Sequence, residues 1–206
     1  MFSGIIEAVE PIIKSESLQN AVRIAIRRPT FFDDIKNGDS IAVDGVCLTV
    51  ETFDSEQIIF TVAAESLKVL QWDTQNNWLG RSMNLERSLR FGDRIHGHLV
   101  TGHVDSLGKV IRTESQGDSW FIDVEIHPSL AIYVWKKGSI TLNGVSLTVN
   151  EFKDLVVSVC LIPETVQRTN LTHKKIKEYL NVEPDYFAKA VMNGVEKWNL
   201  IPSKNS

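Results

Sequence analysis

The sequence predicts an all-β protein: two similar antiparallel barrels from an internal duplication, followed by a C-terminal α-helix. Three observations predict it. The chain reads as one text written twice, each copy holds short runs rich in Val, Ile and Phe, and only the last segment carries helical spacing. The repeat is plainest at Gly38-Asp39-Ser40-Ile41-Ala42-Val43-Asp44-Gly45-Val46-Cys47-Leu48-Thr49-Val50. Its second copy is Gly138-Ser139-Ile140-Thr141-Leu142-Asn143-Gly144-Val145-Ser146-Leu147-Thr148-Val149, with Gly45 and Gly144 standing 99 positions apart. Upstream, Phe2-Ser3-Gly4-Ile5-Ile6-Glu7 answers to Val100-Thr101-Gly102-His103-Val104-Asp105. Downstream, Ala64-Glu65-Ser66 answers to Pro163-Glu164-Thr165, and Asn84-Leu85-Glu86 to Asn181-Val182-Glu183. A duplicated domain offers two similar cavities in one chain, and so can hold two like molecules.

Each element has a local reason. Residues 41–50 and 140–149 alternate apolar and polar side chains around Asp44-Gly45 and Asn143-Gly144, pairs that tolerate positive φ and so favour tight hairpins. Residues 22–26, 58–62, 121–126 and 155–161 are further short strands. Several short strands per hundred residues indicate a small antiparallel barrel. Helical turns are expected at 30–36 and 128–136, and again after Glu65 and Glu164. Pro184 is expected in the first turn of the terminal helix, where it costs no hydrogen bond. Phe187, Ala190, Val191, Gly194, Val195 and Trp198 then fall on one face, either packed on its own domain or forming an oligomer contact. Residues 87–97, with Arg87, Arg90, Asp93 and Arg94, suit an exposed connection. The expected domains are residues 1–97, residues 98–183, and a helix and tail at 184–206.

Composition narrows the function. The 206 residues carry 43% hydrophobic and 23% charged side chains, ordinary for a globular protein. A net charge of −4 gives no basic footprint for nucleic acid. No apolar run reaches membrane-spanning length, and the opening residues read as strand and not as a secretory leader. Cys47 and Cys160 are not equivalent in the repeats, so no disulfide is suggested, and two unpaired cysteines fit a reducing cytoplasm.

Familiar catalytic signatures are weak. Gly38-Asp39-Ser40 lacks the distant partners of an esterase, and Gly144-Val145-Ser146-Leu147-Thr148 lacks the last glycine of a nucleophile elbow. There is no phosphate loop and no dinucleotide fingerprint. The cluster from His96 to Asp105 contains metal-ligand types, but His96 and His98 share one strand face while His103 falls on the other, and no second cluster completes a shell. Structural histidines and an acid/base role for His103 remain as readings. Cys47 with Thr49, and Ser146 with Thr148, form polar pairs on one strand face, since residues two apart point the same way. Cys47 reads either as a small packed residue or as the polar edge of a pocket that Ser146 repeats.

Taken together, Met1-Phe2-Ser3-Gly4-Ile5-Ile6-Glu7, Gly45-Val46-Cys47-Leu48-Thr49-Val50, Asn84-Leu85-Glu86-Arg87-Ser88, Gly97-His98-Leu99-Val100-Thr101-Gly102-His103-Val104-Asp105, Asn143-Gly144-Val145-Ser146-Leu147-Thr148-Val149 and Leu161-Ile162-Pro163-Glu164-Thr165 resemble the riboflavin synthase family of the alpha-chain type. The resemblance covers the chain from Met1 to the terminal helix. It implies two six-stranded Greek-key barrels and a helix that assembles a homotrimer, with each active site between the N-terminal barrel of one subunit and the C-terminal barrel of its neighbour. It implies dismutation of two 6,7-dimethyl-8-ribityllumazine molecules to riboflavin and 5-amino-6-(D-ribitylamino)uracil, with no cofactor and no metal. It also brings in lumazine synthase, which would supply the substrate, as a candidate partner. The rival reading is a non-catalytic carrier of lumazine or flavin.

The resemblance also implies site residues. Gly4, Ile5 and Ile6, then Cys47, Leu48 and Thr49, then Thr61, Val62, Ala63, Ala64, Glu65 and Ser66 would contact the first lumazine. Gly102, His103 and Val104, then Lys137, then Ser146, Leu147 and Thr148, then Leu161, Ile162, Pro163, Glu164, Thr165 and Val166 would contact the second. Ser40, Cys47 and His103 would carry catalysis, supported by Ser146 and Thr148. Asp44 and Asn143 stand where the family pattern leads us to expect the two residue types exchanged, and a ligand contact there would change from donor to acceptor.

Overall fold

The structure is a computed structural model and describes residues 1–70 and 78–199. Alternation of core-facing and outward-facing residues produces two antiparallel sheets of seven strands each. The first contains β1 (Ala8–Leu18), β2 (Ala21–Arg27), β3 (Ser40–Val43), β4 (Val46–Thr49), β5 (Thr52–Phe53), β6 (Gln57–Ala63) and β7 (Ser82–Arg87), in the order β4-β3-β7-β1-β2-β6-β5. The second contains β8 (Ser106–Gln116), β9 (Ser119–Glu125), β10 (Ser139–Leu142), β11 (Val145–Thr148), β12 (Glu151–Lys153), β13 (Val156–Leu161) and β14 (Tyr179–Pro184), in the matching order β11-β10-β14-β8-β9-β13-β12. The expected six strands per barrel become seven through the short β5 and β12, which extend the edge beside β6 and β13. Each sheet curls back on itself, because β4 at one end of the order runs on into β5 at the other, and β11 into β12; on the way Glu51 N–H donates to Ile59 O at 2.9 Å, and Asn150 N–H to Ser158 O at 2.8 Å.

Helices α1 (Ala64–Val69) and α2 (Pro163–Arg168) follow β6 and β13, as expected. The expected turn at 128–136 is a 3-10 turn over Pro128–Tyr133. Its partner at 30–36 forms only a short turn, with Phe32 N–H on Pro29 O at 3.0 Å. The terminal helix α3 (Tyr186–Asn199) starts later than expected. Pro184 closes β14, and Asp185 caps the helix, its Oδ1 accepting from Phe187 N–H at 2.7 Å and Ala188 N–H at 3.3 Å. Among the described residues, no helix is long and apolar enough to cross a membrane.

Each barrel has its own core. Ile24, Ile41, Phe60 and Leu85 anchor the first, and Val124, Ile140, Val159 and Val182 the second. Full burial of such a side chain contributes roughly 1.5–3 kcal/mol. The segments ahead of β1 and β8 are bonded to their own barrels at Glu7 and Asp105 but also reach into the opposite ones. Ile6 packs in the second core, and Val104 against the first. Phe2 and Val100, which are repeat equivalents, pair with each other: Phe2 N–H donates to Val100 O at 2.8 Å, and Val100 N–H to Phe2 O at 3.0 Å. The two leading segments therefore cross near a local twofold axis.

The two hairpin turns meet on that axis. Asp44, Gly45, Asn143 and Gly144 all have positive φ, as a type I′ turn requires. A Cβ on Gly45 would lie 2.6 Å from Gly144 N, so the turns touch backbone to backbone. Asn84 N–H donates to Asp44 Oδ1 at 2.7 Å, and Asn181 N–H to Asn143 Oδ1 at 2.8 Å. The asparagine amides then cross the seam, Asn84 Nδ2 to Asn143 O at 2.9 Å and Asn181 Nδ2 to Asp44 O at 2.8 Å. Asp44 and Asn143 are buried in this seam. Burial pushes the Asp44 carboxyl up to about 6, against the lowering pull of Lys174 and of its hydrogen bonds.

Arg87 is held more firmly than an exposed connection requires. Its guanidinium takes Glu7 and Asp34 and stacks 4.6 Å above the Phe32 ring. Ser88, Leu89, Arg90, Asp93, Arg94 and His96 border an open groove of about 790 Å³ that also reaches Ser3, Ile5 and Phe31.

Candidate functional site

Strand alternation sets the two polar edges. On β4, Val46 and Leu48 enter the core while Cys47 and Thr49 face out; on β11, Val145 and Leu147 enter while Ser146 and Thr148 face out. Across the hairpins, Cys47 lies opposite Ala42 and Thr49 opposite Ser40. In the second barrel, Ser146 lies opposite Thr141 and Thr148 opposite Ser139. Ser40 thus neighbours the expected edge, on the adjoining strand.

The crossing segments rearrange the expected grouping. Gly4 belongs beside Ser146, not Cys47: its carbonyl accepts Ser146 N–H at 2.8 Å, and a Cβ on it would sit 2.6 Å from Ser146 Cβ. Gly102 belongs beside Cys47: its carbonyl accepts Cys47 N–H at 2.9 Å, and a Cβ on it would sit 2.6 Å from Cys47 Cβ. Both glycines have positive φ, so they are the residues that permit this approach. Gly4, Ile5 and Ile6 therefore join the second polar edge, and Gly102, His103 and Val104 the first. The site residues implied by the resemblance pair Gly4 with Cys47 and Gly102 with Ser146; the backbone contacts run the other way, because the exchange is a tertiary event.

Two buried carboxyl groups clasp these glycines. Glu86 Oε1 accepts from Ser3 N–H at 2.7 Å and from the Ser3 hydroxyl at 2.9 Å, while Oε2 accepts from Gly4 N–H at 3.0 Å. Glu183 does the same to Thr101 N–H at 2.8 Å, the Thr101 hydroxyl at 2.6 Å and Gly102 N–H at 3.0 Å. Burial pushes the Glu86 carboxyl up to about 7 and raises that of Glu183, against the lowering effect of these donors. The repeat marked both glutamates, but nothing in the sequence gave them a role.

His98, not expected among the site residues, joins the second edge. Its Nδ1 lies 2.7 Å from Ser146 Oγ and its Nε2 3.2 Å from the buried Thr141 hydroxyl. A neutral imidazole donates at one nitrogen and accepts at the other, so the three groups form a hydroxyl–imidazole–hydroxyl chain. Burial lowers the His98 pKa from its ordinary value, with Asp185 opposing, and so favours the neutral ring. The first barrel has Ala42 and Cys47 at the corresponding places, packed with Phe2 and Val100. The two edges are alike in shape and different in chemistry.

The remaining expected residues fall into two groups. Ile6, Leu48, Val62, Leu147 and Leu161 are core side chains, so only their main chain can face a ligand. His103, Ala63, Glu65, Ile162, Pro163 and Glu164 are exposed; Ala64, Ser66, Val104, Thr165 and Val166 are half-buried. Thr61 Oγ1 is buried with no hydrogen-bond partner, on the same outward face as Ile59. Lys137 is exposed with φ 69°, and its N–H donates to Val149 O at 2.7 Å. Gly38, at φ 92°, makes the equivalent bond to Val50 O at 2.8 Å, so Lys137 takes a left-handed position that the first repeat fills with glycine. The repeat partner of Gly38 is thus Lys137 and not Gly138. Asp44 and Asn143, sealed in the seam, are not on either edge.

Fold and site together define a duplicated β-barrel protein with two like polar edges. The chain belongs to the lumazine-binding domain family, whose model matches residues 3–88 and again residues 101–185. Riboflavin synthase of Bacillus subtilis is 35% identical over 199 residues, 97% of this chain and 92% of the relative. Riboflavin synthase of Mycobacterium tuberculosis is 39% identical over 197 residues, 93% of this chain and 96% of the relative. Among solved structures, LumP complexed with riboflavin superposes with a TM-score of 0.82 at 22% identity, covering 89% of this chain and 99% of that one. LumP complexed with 6,7-dimethyl-8-(1'-D-ribityl) lumazine gives 0.80 at 21% identity, with the same coverage. That likeness is one of fold.

Proposed function

We propose that this protein is a riboflavin synthase. It takes two molecules of 6,7-dimethyl-8-ribityllumazine and transfers a four-carbon unit from one to the other. The products, riboflavin and 5-amino-6-(D-ribitylamino)uracil, account for every atom of the two substrates. The observation that carries this reading is the duplicated polar edge, in a chain that matches riboflavin synthases at 35–39% identity over most of its length. Two like substrates call for two like sites.

The chemistry suits this equipment. The 7-methyl protons of the lumazine are acidic because the conjugated ring spreads the resulting charge, so a neutral imidazole relay is base enough. In our reading Ser146, backed by His98 and Thr141, handles that proton, with Thr148 beside it. Cys47, or a water held by it with Thr49 and Ser40, adds to or orients addition at the other ring. His103 assists proton transfer at that edge, beside Gly102. Segments 61–66 and 161–166, with Lys137, hold the ribityl chains, and the unpartnered Thr61 hydroxyl fits that use. Holding two rings in register supplies several kcal/mol of the acceleration.

The assembly we propose is a homotrimer, in which the first-barrel edge of one subunit faces the second-barrel edge of the next. Phe187, Val191, Val195 and Trp198 support it: they leave 47–76% of their surface exposed along one face of α3. The two free cysteines support a cytoplasmic protein. Lumazine synthase is the proposed supplier of substrate.

The test is to incubate the purified chain with 6,7-dimethyl-8-ribityllumazine alone and separate the products over time. Equal amounts of riboflavin and the ribitylaminouracil, with two lumazines lost per riboflavin, establish the synthase. Binding without conversion makes the protein a lumazine or flavin carrier instead.

A further inference from the structure

Glu86 and Glu183 are buried carboxylates that this function leaves unused. Glu86 lies on β7 of the first barrel, yet its carboxylate grips Ser3 and Gly4, whose carbonyl bears on Ser146 of the second barrel. Glu183 lies on β14 of the second barrel and grips Thr101 and Gly102, whose carbonyl bears on Cys47 of the first. We propose that Glu86 and Glu183 are positioning residues that act crosswise, Glu86 setting the Ser146 edge of the second barrel and Glu183 the Cys47 edge of the first. The inference rests on the reading that these two edges bind the ring of a lumazine or flavin.

The geometry leaves each carboxylate little other business. Both are buried, with 3% and 2% of their surface exposed. In each, one oxygen takes an amide and a hydroxyl, and the other takes the amide of a glycine at positive φ. That last bond fixes the glycine nitrogen, and two bonds further along the same residue its carbonyl accepts the N–H of the other barrel's polar strand. A carboxamide in place of the carboxylate turns one acceptor into a donor. Whichever oxygen is lost, a backbone N–H of the clasped pair, Ser3 or Gly4 and Thr101 or Gly102, then faces an N–H, and that segment must move away. The displacement passes to Ser146 or Cys47 through a single hydrogen bond.

A merely structural role predicts a different pattern. Glu183 pairs through its main chain with Thr141, which lies opposite Ser146, and Glu86 pairs likewise with Ala42, opposite Cys47. Local damage from either substitution would therefore strike the edge of the residue's own barrel. A crosswise effect needs the clasp.

The test is fluorescence titration of the full-length protein with riboflavin, with Cys47→Ala and Ser146→Ala assigning the two sites. Glu86→Gln is expected to weaken the Ser146 site about tenfold and leave the Cys47 site within about twofold, and Glu183→Gln to do the reverse, the loss expected for one charge-assisted hydrogen bond. In double-mutant cycles, Glu86→Gln should couple with Ser146→Ala and add independently to Cys47→Ala. Ser3→Ala and Thr101→Ala remove one donor and leave the carboxylates in place, so they repeat the crosswise pattern more weakly if the glutamine variants fold poorly. Uniform weakening of both sites, coupling within one barrel, or no change overturns the proposal while leaving the synthase reading intact. If the unmodified protein binds no riboflavin, both readings fall.

Discussion

At the scale of single residues, the two edges differ in the groups set beside their polar side chains. Both residues have a glycine carbonyl on their backbone N–H, but Ser146 Oγ has an imidazole 2.7 Å away, whereas Cys47 has apolar neighbours at its side. His98→Gln is expected to lower kcat by roughly 10²–10⁴, the usual span for a general acid–base group, with a smaller effect on KM. Because burial holds the His98 pKa below its ordinary value, protonation of the ring should limit the rate only at a pH below that value. A pH–rate profile in which the acid limb is present in the unmodified protein and absent in His98→Gln checks this assignment. Cys47 and Ser146 were legible as a pair because the repeat aligns them and alternation faces them alike. His98 was not, since its partner lies 48 positions away and only the crossing of the leading segments joins them.

At the scale of elements, the crossing segments depend on the two glycines. Gly4→Ala and Gly102→Ala place a methyl 2.6 Å from Ser146 Cβ and Cys47 Cβ, in a backbone conformation that alanine resists. Each should cost roughly 1–3 kcal/mol of stability, by strain and overpacking, measurable as a lower denaturation midpoint. A shift too small to detect would mean that the segments are not locked as described. Helix α3 makes a different commitment. Val191 is 62% exposed at the centre of its apolar stripe. Val191→Glu should leave the barrels folded, by unchanged circular dichroism, and reduce the sedimenting mass toward the 23.2 kDa chain. An unaltered mass would remove α3 from the assembly contact. The helix stripe was readable from spacing alone, but its starting residue was not, because Pro184 completes a strand before Asp185 supplies the cap.

At the scale of the whole molecule, three buried carboxyl groups tie stability to pH in one direction. Asp44 rises from 3.8 to about 6, Glu86 from 4.5 to about 7, and Glu183 also rises. Each folded-state value lies above the unfolded one, so the folded protein keeps protons that the unfolded chain has already released. Stability from these groups therefore falls as pH rises from about 4 to about 7 and is level above that window. Asp44→Asn keeps an acceptor for Asn84 N–H and removes the charge. At pH 7 it should stabilise the protein by up to roughly 3 kcal/mol, the order given by a shift of about two pH units, with no gain near pH 4. Chemical denaturation at both pH values checks it; an equal effect at both would show that the seam is not titrating.

The duplication, the hairpin turns, the alternation that faces Cys47 and Ser146 outward, and the amphipathic terminal helix are all properties of local sequence. Each follows from a period of two or 3.6 residues or from the φ tolerance of Asp-Gly and Asn-Gly, and the chain alone determined them. The tertiary structure decided which segment serves which barrel. Residues 1–7 and 98–104 carry the same pattern, so sequence could not say that each packs on the other's barrel, and the groupings of Gly4 with Cys47 and Gly102 with Ser146 were exchanged. The choice is made by contacts between distant residues: Phe2 on Val100, Gly45 on Gly144, Ser146 on Gly4 and Cys47 on Gly102. None of these has a signature in the local pattern, because a hydrogen bond between residues far apart in the chain leaves no period in it.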